Sequence, residues 1–158
     1  TGAVSALALG ALAVAAAAQT PAPPKLGAAK TMMSTKEVMK YITNPAAETF
    51  WKASGEIDTE EAETSRAPQT DERWAEAVAA AAVVQESANL LMMDGRARDE
   101  PWMRFAQQMA DAGAAGMKAA LAKNAEATFE TGGEMYNACF NCHGRYIPRP
   151  ANSLWKQP

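Results

Sequence analysis

The sequence predicts an all-α protein, folded as an antiparallel up-down-up-down four-helix bundle. Three observations carry this. Apolar residues recur at three- and four-residue spacing over four long stretches. Helix starters (Ser34, Thr70, Asp99) and stoppers (Gly55, Gly95, Pro148) punctuate those stretches. Strand signals are nearly absent: Ala is abundant, β-branched runs are missing and aromatics make up only 7%. Mostly short connections favour antiparallel neighbours.

Helix one opens at Ser34, which forms a capping box with Glu37, and carries Val38, Met39 and Ile42. Pro45 removes a backbone donor after Asn44, so a kink or restart is expected before the helix continues through Phe50 and Trp51 to Gly55. Helix two begins after Thr70, shows Trp74, Val78, Ala81, Val84, Ala88 and Leu91 on one face, and stops at Gly95. Helix three starts at Asp99 with Pro101 in its first turn. It presents Trp102, Phe105, Met109, Ala112, Gly116 and Ala120, and ends near Lys123 and Asn124. Helix four runs from about Glu126 through Phe129 and Met135 to Tyr146, with Ile147-Pro148 as its stop. Gly132 and Gly133 inside it cost about 1 kcal/mol each against Ala, which predicts a close approach there.

The chain divides accordingly. Residues 4–18 are an uncharged Ala-rich run, shorter than the roughly twenty residues a bilayer needs, with a small-x-small Ala16-Ala17-Ala18 site; residues 1–18 are expected to be a signal peptide, an uncleaved membrane anchor being the alternative. Residues 19–33 form a Pro/Ala-rich linker, 34–148 the bundle and 149–158 a tail containing Trp155. A formal net charge of −3 and a pI near 5.2 argue against nucleic acid as a partner. Much of the local acidity lies in the connection from Gly55 to Glu72, which reads as a solvated loop rather than a docking surface for a basic partner.

The only two cysteines and the only histidine stand together as Cys139-Phe140-Asn141-Cys142-His143. C-x-x-C-H is the pattern of covalent c-type haem attachment. Thiols three residues apart share one helix face and can reach two vinyl groups on one porphyrin edge, and the next residue sets its imidazole under the iron. Other readings of these residues are poorer. Structural zinc wants four ligands and no second Cys/His cluster exists. A thioredoxin-like dithiol sits at the start of a helix beside a strand-helix-strand unit, whereas this pair closes a helix. A disulfide across three residues would constrain little.

In the predicted topology the starts of helices one and three share a pole with the ends of helices two and four. His143 therefore meets Met32, Met33 and Met39, then Leu90, Leu91, Met92 and Met93, then Trp102 and Met103. Methionines in bundles are usually core filler, yet this clustering predicts an apolar pole suited to a haem. Tyr146, one turn past Cys142, is expected on the porphyrin edge. Trp102 and Phe105 are expected in the pocket or core, and Arg145, Lys40 and Arg104 are either propionate partners or solvated.

With MYNACFNCHGRYIP on its last helix and a short opening helix, the chain resembles the class II cytochromes c, which include cytochrome c prime. The resemblance spans roughly Ser34 to Pro148 and implies a four-helix bundle with one haem c on Cys139 and Cys142 and His143 as axial ligand. In low-spin relatives a Met on the first helix is the sixth ligand, and Met39 in EVMKY matches that position, with Met32 and Met33 close enough to compete. Pro45 and the long acidic connection depart from the family pattern. The resemblance implies a periplasmic, non-enzymatic electron carrier serving a redox partner protein. The alternative is a five-coordinate haem protein that binds a diatomic gas such as nitric oxide. Homodimers are common among relatives, and membrane association would require the uncleaved segment.

Overall fold

The computed structural model describes residues 30–58 and 63–147, with side chains at all of these except 56–58 and 63–65. The expected signal segment, most of the linker, Pro148 and the tail with Trp155 lie outside the described residues. The fold is an all-α bundle, as the periodicity requires.

The first layer is an arm in three pieces: α1 (Thr35–Val38), a π-turn (Met39–Thr43) and α2 (Asn44–Lys52). Its start is the expected capping box: the Glu37 N–H donates to Ser34 Oγ at 3.3 Å, and the Glu37 carboxylate accepts from the Ser34 N–H at 2.8 Å. The break expected at Pro45 takes the form of the π-turn just before it. Pro45 has no N–H to give the carbonyl four residues back, and its ring would crowd that carbonyl. The Asn44 N–H instead reaches five residues back, to Met39 O.

The connection from Gly55 to Thr70 is more ordered than the expected loop. Strands β1 (Glu56–Asp58) and β2 (Glu63–Ser65) pair antiparallel, Ile57 opposite Thr64. Then come α3 (Asp71–Met92), α4 (Glu100–Leu121) and α5 (Ala125–Tyr146). Each has a side-chain cap on its third N–H: Thr70 on Arg73, Asp99 on Trp102 and Asn124 on Ala127. After α3, Gly95 takes a φ of +87°, a conformation glycine adopts without strain.

Contacts fix the antiparallel order. Between α3 and α4, Trp102 Nε1 donates to Leu91 O at 2.9 Å, and at the opposite end Lys123 pairs with Asp71 at 2.6 Å. The Tyr146 hydroxyl donates to Asp99, joining the end of α5 to the start of α4. Thr43 donates to Ser87 at 3.0 Å, tying the arm to α3, and Trp51 Nε1 donates to Gly132 O at 2.9 Å, tying it to α5. Packing is densest between α3 and α4 and sparsest between the arm and α5.

The core is unusually rich in alanine, with Phe50, Val38, Val84 and Met135 as its largest fully buried apolar side chains. Small residues let backbones approach closely: a Cβ on Gly113 would lie 2.7 Å from the Gln85 backbone nitrogen. The close approach expected at the glycine pair exists at Gly132, where a Cβ would meet Ser54 Oγ at 2.9 Å. Gly133 faces open space, with nothing within 4 Å.

Candidate functional site

Helical spacing and core burial together set the CFNCH side chains. Ala138 and Met135 bury one face of α5, which turns Cys139 and Cys142, three apart, toward the same interior side. Both thiols are free and half-buried, packed against the core. His143, one residue on, borders the same space from an exposed position near the helix end.

These residues line a narrow apolar cleft at the pole where the arm and α4 begin and α3 and α5 end. The arm contributes Met39, α3 contributes Leu91, α4 contributes Trp102, Phe105, Ala106 and Met109, and α5 contributes Ala138, Cys139, Cys142 and His143. Met39 and Trp102 therefore stand where the sequence reading put them. Tyr146 does not line the cleft. It backs the wall, its ring edge-on to Trp102 at 5.0 Å and to Phe105 at 6.4 Å. Met92 is also outside: it packs half-buried against the core, because the face of α3 that points to the cleft carries Leu91 instead. Met32 is 87% exposed and Met33 41%, and neither reaches the lining. Arg104 pairs with Glu100 on the surface, and Lys40 lies over the Tyr41 ring.

Electrostatics keep the donor set neutral. Burial, reinforced by the neighbouring Cys142, pushes the Cys139 thiol up to about 11. Burial raises Cys142 too, against the pull of the Arg98 charge. The desolvated side of His143 lowers its imidazole below the ordinary value, favouring the neutral form a metal requires. Behind the wall, the Asp99 carboxylate is held low, first by the Tyr146 hydroxyl, then by the Trp102 N–H and the nearby Arg145.

Three roles at this pole escape the sequence reading. Arg96 is buried, 7% exposed, and donates to Met33 O at 2.8 and 3.0 Å and to Leu90 O at 2.9 Å. Arg98 lies over the Trp102 and Tyr146 rings. Asp99 was legible as a cap but not as the acceptor for Tyr146. Loop arginines carry no periodic signal, so burial alone reveals Arg96.

A haem c fits this donor set chemically: two neutral thiols on one ridge, one imidazole beside them, apolar walls and a thioether opposite. Among the described residues no three His, Cys, Asp or Glu side chains group as ligands for a bare metal ion. Space is the tighter constraint, because the cleft holds only about 20 Å³, the scale of a water molecule. A macrocycle would require the arm and α5 to part, and theirs is the sparsest contact in the bundle. A much roomier groove, about 800 Å³, lies at the other pole among Lys52, Arg66 and Arg73, and no cysteine or histidine lines it.

Among the described residues no helix is long and apolar enough to cross a membrane. No protein-family model, curated protein or solved structure matches the chain.

Proposed function

We propose that the chain is an exported c-type cytochrome that passes single electrons to a partner protein; Cys139, Cys142 and His143 would hold one haem c, and Met39 would supply a further ligand to its iron. The observation that supports this most is the meeting of Met39, from the neighbouring arm, with the CFNCH side chains in one apolar cleft. Bound there, haem c would supply one-electron exchange between ferric and ferrous iron. The chain's own residues have distinct roles. Cys139 and Cys142 present protonated thiols for thioether formation, and His143 presents a neutral imidazole. Leu91, Phe105, Ala106 and Met109 exclude water, which disfavours the more highly charged ferric state. Ligation by the Met39 thioether would push the reduction potential in the same direction.

The test is production in a host competent for c-type haem attachment, followed by mass measurement and absorption spectra in both oxidation states. One haem of added mass and a weak long-wavelength ferric band, the mark of Met ligation, are expected. Replacing both cysteines by Ala should abolish the covalent pigment. Met39→Ala should give a high-spin spectrum and ready carbon monoxide binding. A colourless product with free thiols would overturn the proposal, and a high-spin wild-type protein would favour the gas-binding reading.

A further inference from the structure

Met39 is the first residue of the π-turn, and this placement has a geometric consequence. An α-helix advances about 100° per residue. Counting back from buried Phe50 along an unbroken helix puts Met39 about 20° from the Phe50 direction, pointing into the core. Val38 would then lie about 120° away, outside it. The π-turn absorbs one extra residue and turns everything upstream by about 100°. Val38 thereby takes the core position, where it is 0% exposed. Met39 swings to the side of the arm that carries Trp51, whose indole donates to Gly132 of α5. That side faces the helix bearing the CFNCH side chains, and Met39 lines their cleft.

A second, separate feature holds the upstream end of this turn. The Arg96 guanidinium, buried in the α3–α4 connection, spends two N–H groups on Met33 O and one on Leu90 O. Met33 directly precedes the Ser34 cap. Leu90 O lies in the last turn of α3, where carbonyls have no partner within the helix. One cation thus clasps the entrance of the arm to the end of α3, six residues ahead of Met39.

From this we infer that the π-turn and Arg96 together position Met39: the turn aims its side chain at α5, and Arg96 latches the segment that would otherwise let α1 roll back. Of Arg96 and the residues of the turn, Met39 alone lines the cleft. The inference rests on the haem reading for its functional meaning, but its structural part has its own readout.

Two variants of the haem-loaded chain test it. Arg96→Met keeps the bulk and removes the latch. It should speed amide exchange across residues 34–43 and raise carbon monoxide affinity about tenfold, or about 1.4 kcal/mol, with a weaker Met-ligation band. A merely structural role would lower the melting temperature and leave affinity and band unchanged. The second variant deletes Ile42 and carries Pro45→Ala, replacing the π-turn by regular helix while keeping both flanks in phase. It should retain the Met band; loss of the band, with the fold intact by circular dichroism, overturns the aiming role. Unchanged exchange in Arg96→Met overturns the latch whatever the iron's ligands. A wild-type chain that carries haem without a Met band removes the Met39-ligation reading instead, and exchange still decides the latch.

Discussion

The two ends of the bundle are held by different means. At the end bearing CFNCH, two anchors are buried: Arg96 makes three hydrogen bonds to the Met33 and Leu90 carbonyls, and Trp102 is 4% exposed with its indole on Leu91 O, while the Tyr146 bond to Asp99 lies at the surface. The opposite end is looser. Its connection is a three-residue ribbon, its cross-helix ion pair is exposed, and Leu121 and Phe129 stand in solvent at 65% and 57% exposure. Buried bonds lose their solvent competition and are costly to break, whereas exposed ones exchange freely with water. The contrast indicates that rigidity is concentrated where side chains from four elements must meet.

The largest effect should come from the pair Trp102→Ala and Leu121→Ala. The first empties a buried indole site and strands the Leu91 carbonyl, at a cost of about 3–5 kcal/mol; the second should stay within about 0.5 kcal/mol. Urea denaturation measures both, and similar values would erase the distinction between the poles.

Next comes the glycine pair. Gly133→Ala adds a methyl in open space and should stabilise α5 by about 1 kcal/mol. Gly132→Ala drives a methyl into Ser54 and should destabilise by about 1–3 kcal/mol. Opposite signs in thermal melts are the expected outcome, and a stabilising Gly132→Ala would show that Ser54 yields freely.

Smaller still is Lys123→Ala at the loose pole. The pair with Asp71 leaves the two side chains 50% and 84% exposed, so its loss should cost about 0–1 kcal/mol and less at high salt. A larger, salt-independent cost would make that end tighter than it looks.

Glu37→Gln should do least. The Ser34 contacts lower the Glu37 carboxyl below its ordinary 4.5. Its contribution is therefore complete above the unfolded-state value and fades as pH falls through the folded one. Wild type and variant should differ by a constant amount at neutral pH and converge in acid, as read by melts at several pH values.

Local chemistry made most of the scaffold legible. Ser34, Thr70 and Asp99 act as caps because a short oxygen-bearing side chain can satisfy a nearby N–H wherever the chain enters a helix. The cleft was legible in outline, since antiparallel order brings Met39, Leu91 and Trp102 to the end that carries His143. What escaped depends on distant packing. The π-turn exists because Val38 and Phe50 must both be buried despite Pro45 between them, and no local propensity encodes that compromise. One step of register decides that Leu91 rather than Met92 faces the cleft. Burial of Arg96 requires two segments more than sixty positions apart to close over it.

The placement of the indoles makes the molecule its own optical gauge. Trp102 borders the cleft, while Trp74 lies near the far end of α3 and is 8% exposed. Anything that absorbs near-ultraviolet emission and lodges beside Cys142 would dim Trp102 strongly and Trp74 weakly. Single-tryptophan variants would then report occupancy at one site and unfolding at the other, from the same cuvette.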